Sequence, residues 1–252
     1  MARNFFIVGN WKMNPATIAE AREIFDAVKK PVASSRRAKV IIAPPVIFLE
    51  NLAAKKSPIF FAAQDVSSEI SGAHTGEISA KMAKSVGAKF GIVGHSERRA
   101  KGDSDEIVAE KFVRLTEVGI VPILCIGEKK RDASGDYFSE IDHSISVVLK
   151  KFAKIRVPSF IVAYEPVWAV GGAYNNALSP EEMHSMAIFI KKICSQYMPK
   201  EKAMRVPVLY GGSVSMDNAQ DMLVNGGIDG LLVGRQSLDP KSFTEIIKIA
   251  NV

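Results

Sequence analysis

Eight short apolar runs recur along the chain, spaced so that a helix fits between each pair. They are FFIVGN (5–10), KVIIA (39–43), IFFAA (59–63), FGIVG (90–94), VPILCI (121–126), FIVAY (160–164), VPVLY (206–210) and IDGLLVG (228–234). Their apolar residues are continuous rather than alternating. A strand with one wet face alternates; a strand covered on both faces does not, and parallel sheets bury both faces.

Helical patterns fill the gaps. TIAEAREIFDAVKK (17–30) places Ile18, Ala21, Phe25 and Val28 at helical spacing. SDEIVAEKFVRLTEVG (104–119) opens on Ser104 as N-cap and closes at Gly119. SPEEMHSMAIFIKKICSQYM (179–198) has Ser179 as cap, Pro180 in the first position and acids in the first turn. Further helices are expected near 45–55, 79–86, 138–152, 216–225 and 240–250. Eight strand–helix units in 252 residues predict an α/β chain folded as one (β/α)8 barrel over 1–252. The rival, a doubly wound sheet, usually carries a glycine fingerprint in its first strand–helix turn. Neither GxGxxG nor GxxxxGK occurs.

Composition excludes little beyond this. Hydrophobic residues make up 47% and charged residues 24%, as in ordinary globular chains. The formal net charge of +6 is spread over helices, and the run Lys129-Lys130-Arg131 reads as part of a solvated loop. This reads as a solvated basic surface rather than a nucleic-acid footprint, and a mild field that draws in small anions is compatible with it. No apolar run reaches the ~18 residues of a membrane span, and the start MARNFFIVGNWKMN has no long apolar segment of the secretory type. Cys125 and Cys194 show no metal-ligand spacing and no CxxC, which fits buried thiols in a reducing cytoplasm. HExxH is absent and no His/Cys cluster suggests a metal; His143 and His184 read as helix surface residues.

In such barrels the chemistry lies at the C-terminal ends of the strands. Those ends carry Asn10 and Lys12 after strand 1, His95, Ser96 and Glu97 after strand 4, and Glu165 after strand 6. Gly211-Gly212-Ser213 follow strand 7, and Gly234-Arg235 follow strand 8. Taken singly, Lys12 reads as a surface lysine, His95 as a cap and Glu165 as a loop acid. Together on one rim they form a base, an imidazole, an ammonium and two glycine turns whose backbone N–H groups suit a phosphate.

These residues resemble those of the triosephosphate isomerase family, whose fold is called the TIM barrel. The likeness is carried by GNWKMN (9–14), VGHSERR (93–99), CIGE (125–128), AYEPVWAVG (163–171), YGGSV (210–214) and LLVGRQSL (231–238), and so spans nearly the whole chain. It implies an isomerase of glycolysis and gluconeogenesis that interconverts dihydroxyacetone phosphate and D-glyceraldehyde 3-phosphate. It implies no cofactor, a homodimer and a cytoplasmic location. Glu165 matches the family's base, His95 its electrophile, and Asn10 and Lys12 its substrate contacts. Gly171, Ser213, Gly234 and Arg235 match its phosphate-binding positions, while Glu97, Ser96, Trp168, Tyr210 and Cys125 match supporting ones. The chemistry explains the residue types. A carboxylate can carry a proton between adjacent carbons, and a neutral imidazole N–H with an ammonium can stabilise the enediolate formed between. A helix starting near Ser96 would disfavour the imidazolium form of His95.

Val167, Trp168, Ala169 and Val170 read as an exposed, apolar lid tip between Pro166 and Gly171-Gly172, joined directly to the base. Tyr210 and Ser213 match positions that latch the closed lid. After the tip the family usually reads G-T-G-K or similar; here Gly171-Gly172-Ala173-Tyr174-Asn175-Asn176 reaches Ser179-Pro180 about two residues late. A second departure is Arg235, where the family has a glycine. Loop 64–78, QDVSSEISGAHTGEI, has no hydrophobic period and is too long for a simple connection. In the family its counterpart enters the partner subunit, and Thr75 falls at the position that reaches the neighbour's site. Two other functions fit the rim residues: a phosphate-sugar enzyme using Lys12 as a Schiff-base nucleophile, which borohydride trapping would reveal, and a catalytically inert anion-binding scaffold, which an isomerase assay would separate.

Overall fold

The continuous apolar runs become strands buried on both sides. A computed structural model describes residues 4–131, 134–152, 159–169 and 178–251. The strands are β1 (Phe5–Asn10), β2 (Ala38–Ala43), β3 (Phe60–Ala63), β4 (Phe90–Val93), β5 (Val121–Ile126), β6 (Ile161–Tyr164), β7 (Val208–Tyr210) and β8 (Gly230–Val233). Each pairs in parallel with its neighbours in sequence, and β8 returns to β1, closing a (β/α)8 barrel.

Residue parity within each strand decides which of two cores a side chain joins. Val8, Ile41, Ala43, Ile92, Ile123, Cys125, Ile161, Ala163, Leu209 and Leu232 fill one cluster, the barrel interior. Their neighbours Ile7, Val40, Ile42, Val93, Leu124, Val162, Val208 and Leu231 join the layer between sheet and helices. This is why the strands do not alternate. Continuing the interior parity past the strand ends brings Asn10, Glu165, Gly211 and Gly234 to the mouth of the barrel. At the opposite end the lumen is closed by Lys39, whose ammonium lies 5.6, 4.6 and 5.2 Å from the ring centres of Phe6, Phe60 and Phe90.

The outer layer contains α1 (Ile18–Ser34), α2 (Val46–Ala53), α3 (Ala80–Ser85), α4 (Ser96–Arg99), α5 (Asp105–Glu117), α6 (Tyr137–Phe152), α7 (Pro180–Cys194), α8 (Lys200–Met204), α9 (Met216–Asn225) and α10 (Pro240–Ile249). Side-chain caps set where several begin. Thr17 and Glu20 form a capping box at α1, as do Ser179 and Glu182 at α7, while Ser104 caps α5. Two boundaries differ from the sequence expectation. Helix α1 runs through Pro31 to Ser34, with Val32 buried in the core and the Ser34 hydroxyl donating to the Pro31 carbonyl at 2.9 Å. The helix expected over 179–198 stops at Cys194. Pro199, which disfavours helical backbone in the residue before it, precedes the separate helix α8.

Candidate active site

β1 delivers Asn10 and Lys12 to the mouth. Asn10 is buried, and its side-chain oxygen accepts the Lys12 backbone N–H at 3.0 Å. That bond helps hold Lys12 at φ +54°, a left-handed conformation uncommon outside glycine. The Gln64 amide braces the same turn, donating to the carbonyls of Lys12 and Ala43 at 2.8 Å each. The ammonium of Lys12 then reaches Glu97 at 2.7 Å. Despite partial burial, this ammonium holds the Glu97 carboxyl below the usual carboxylate range.

His95 is the N-cap of α4, and its Nδ1 accepts the Glu97 backbone N–H at 3.2 Å. A nitrogen that accepts carries no proton, so the imidazole is held as the tautomer with its proton on Nε2. That Nε2 lies 3.3 Å from Glu165 Oε1. The other oxygen of Glu165 accepts the Ser96 backbone N–H at 3.0 Å, and the carboxylate is only 3% exposed. The Cys125 thiol lies beneath it. Burial, and then the Glu165 charge, push that thiol well above its ordinary value.

Space for Glu165 depends on glycine. A Cβ on Gly127 would fall 1.8 Å from the Glu165 carbonyl oxygen, and one on Gly211 would fall 2.9 Å from Glu165 Cγ. Gly211 and Gly212, with Ser213, open the turn from β7 toward α9; Gly234 and Arg235 open the turn after β8. All five line the same cavity of about 640 Å3 as Asn10, Lys12, His95, Glu97 and Glu165, within the usual range for a small-molecule site.

Comparison with known proteins decides the family. The triosephosphate isomerase family model matches residues 5–250. The chain belongs to the triosephosphate isomerase family. It is 37% identical to the triosephosphate isomerase of Photorhabdus laumondii, over 98% of this chain and 97% of that protein. It is 38% identical to that of Aquifex aeolicus, with 96% and 97% covered, and 38% identical to that of Thermus thermophilus, with 98% and 99% covered.

The segment after β6, expected from sequence to be an exposed lid tip, departs from that reading. Val167–Ala169 form a 3-10 turn, and Trp168 is half-buried rather than exposed. Its indole N–H donates to Glu128 Oε1 at 2.8 Å. Glu128 is fully buried and also accepts from the Tyr164 hydroxyl at 2.8 Å and from Arg131 Nε at 3.0 Å. A buried carboxylate needs such partners, so Arg131, read from sequence as part of a solvated run, instead turns inward. It pairs further with Glu182 at 2.8 Å and stacks over the Tyr137 and Trp168 rings. Burial, and then the Glu128 charge, push the Tyr164 phenol well up.

Glu128, Tyr164 and Glu182 were not singled out from sequence, and Arg131 was read only as part of a solvated run. Parity offered a signal: Glu128 and Tyr164 continue the outward-facing positions of β5 and β6, which aims them at Trp168 instead of the cavity. The Tyr210 hydroxyl is buried, with no hydrogen bond of good geometry among the described residues; the Leu178 and Ser213 amides face it, and burial pushes it up to about 12. Gly171 and the segment with Tyr174, Asn175 and Asn176 lie outside the described residues. Loop 64–78 is tied at its base by Ser67 N–H to the Ile78 carbonyl at 2.8 Å and by Arg114 to the Ser68 carbonyl at 2.8 Å. Its outer part, 69–77 with Thr75, is exposed on the single chain.

Proposed function

We propose that the protein is a triose-phosphate isomerase that interconverts dihydroxyacetone phosphate and D-glyceraldehyde 3-phosphate, with Glu165 as the shuttling base. The observation that carries the residue assignment is the pairing of a buried carboxylate with a neutral imidazole N–H, 3.3 Å apart, on the wall of the cavity that also holds both glycine turns. The phosphate is read as sitting against Gly212-Ser213 and Gly234-Arg235, with Asn10 and Lys12 along the carbon chain. Glu165 takes a proton from one carbon and returns it to the next. The negative charge that grows on oxygen meets His95 Nε2–H and the Lys12 ammonium. Glu165 must first leave the Ser96 N–H, so the observed geometry is read as a resting position from which the base swings onto substrate. The chain's own groups carry every step.

The Lys12 environment speaks against the Schiff-base alternative. Its ammonium is paired with Glu97 and partly exposed, whereas a nucleophilic lysine needs to be neutral and desolvated. Val167, Trp168 and the residues that follow are read as the root of a lid that closes over substrate and excludes water, with the Glu128 cluster as its anchor.

The homodimer and the cytoplasmic location belong to the same reading. Support for a dimer comes from the exposed loop 69–77 and from apolar side chains that a single chain leaves in water: Met13, Ile47, Ile70 and Met82 are 94%, 76%, 50% and 54% exposed. No helix among the described residues is long and apolar enough to cross a membrane. A coupled assay of isomerase turnover in both directions tests the function; a pure chain with no turnover in either direction would refute it.

A further inference from the structure

The charge balance of the cavity singles out a residue whose side chain the family pattern does not supply. Among the described residues two cations, Lys12 and Arg235, and two carboxylates, Glu97 and Glu165, line it. Lys12 and Glu97 are bound to each other at 2.7 Å and largely cancel. Glu165 leaves a negative charge in a site that has to accept a phosphate ester carrying about −1.5 to −2. Family members bind a phosphate here with a glycine in this place, through backbone N–H groups; Arg235 adds a charge that brings the protein side of the account to neutral before those groups are counted.

Arg235 is also built to respond to a ligand. It opens the 3-10 turn Arg235–Ser237 after β8, directly behind Gly234, where a side chain would touch Lys12 Cε at 3.7 Å. The turn is braced: Ser237 donates to the Gly234 carbonyl through both its hydroxyl, at 2.7 Å, and its backbone N–H, at 2.8 Å. The backbone is therefore held while the side chain is exposed. Among the described residues no hydrogen bond, ion pair or ring contact occupies the guanidinium.

We infer that the Arg235 guanidinium is a substrate-binding group, taking the outward-facing oxygens of the substrate phosphate seated against the β7 and β8 turns. This deepens the proposed function and rests on it. A guanidinium offers two parallel N–H donors to a phosphate, which an ammonium does not. Its charge also gathers anions at the mouth, so it acts on encounter as well as on the bound complex.

The test compares wild type with Arg235→Gln and Arg235→Lys, substitutions at an exposed position. Two readouts are used: steady-state kinetics with triose phosphate at low and physiological salt, and calorimetric binding of inorganic phosphate. Arg235→Gln should weaken phosphate binding and raise KM on the order of tenfold, more than it lowers kcat. It should also flatten the fall of kcat/KM with salt. Arg235→Lys should keep the salt dependence but regain only part of the affinity. Equal phosphate affinity in wild type and Arg235→Gln, with an unchanged salt dependence, would overturn the assignment. Phosphate binding reads Arg235 whether or not the enzyme turns over triose phosphate, so failure of the functional reading would appear separately, as absence of wild-type turnover.

Discussion

Gly127→Ala should disable the site through a single methyl group. Gly127 ends the run of β5 just before the buried Glu128. A Cβ there would lie 1.8 Å from the Glu165 carbonyl oxygen and 2.5 Å from its carbonyl carbon. Carbon–oxygen contacts settle near 3.3 Å, so the two segments must part by roughly 1.5 Å. The neighbour is backbone and cannot rotate away. It is also tied to the same segment, because the Glu165 N–H bonds the Ile126 carbonyl at 2.7 Å, and parting strains that bond. The displacement therefore passes to the segment that carries the base. A misplacement of ~1 Å is enough for a loss of about 100-fold in rate, or roughly 2.7 kcal/mol in the barrier. Overpacking adds a stability loss of about 1–3 kcal/mol. Steady-state turnover of triose phosphate reads the first effect, and urea unfolding followed by circular dichroism reads the second. A folded Gly127→Ala chain with wild-type kcat and an unshifted unfolding midpoint would refute the argument.

Three further outcomes follow from the structure. Lys111 is 3% exposed and holds Asp65 at 2.8 Å and Asp103 at 2.6 Å. Lys111→Met should cost about 3–5 kcal/mol by removing the buried ammonium from two carboxylates, and a loss under about 1 kcal/mol in urea unfolding would show that Arg98, 2.8 Å from Asp65 and 3.8 Å from Asp103, suffices for both. Burial pushes the Cys194 thiol from 9.0 up to about 12. The unfolded chain therefore gives up this proton first, and stability should fall as pH rises through that window; a Cys194→Val chain with an equally steep fall between pH 9 and 11 would contradict this. If the proposed dimer forms through loop 64–78, Thr75→Arg should place a charge in its interface and shift sedimentation toward monomer, whereas a wild type that already sediments as a fully active monomer at micromolar concentration would overturn the dimer proposal.

The barrel could be read from sequence because burial on both faces erases alternation, and eight such runs leave few ways to close. Strand ends were less legible. Ile59, Phe160 and Val206 are buried and apolar, yet stand just outside the paired segments; hydropathy registers burial, not the ladder. Asn10, His95 and Glu165 stood out because each polar residue interrupts or ends an apolar run, and the structure gathers them with Lys12 around one cavity. The lid root was harder. A tryptophan between valine and alanine looks like a greasy tip, and an arginine after two lysines looks solvated. Only the buried Glu128 carboxylate, which draws the Trp168 and Arg131 donors inward, explains why neither is so.

Replacing Glu165 tests the central claim most directly. Turnover of dihydroxyacetone phosphate would be measured for wild type and for Glu165→Asp, which keeps the charge but withdraws the carboxylate by about one carbon–carbon bond. If Glu165 carries the proton, wild type is active and Glu165→Asp loses kcat by about 100-fold or more while KM changes far less. A Glu165→Asp enzyme with the kcat of wild type would remove Glu165 from the mechanism.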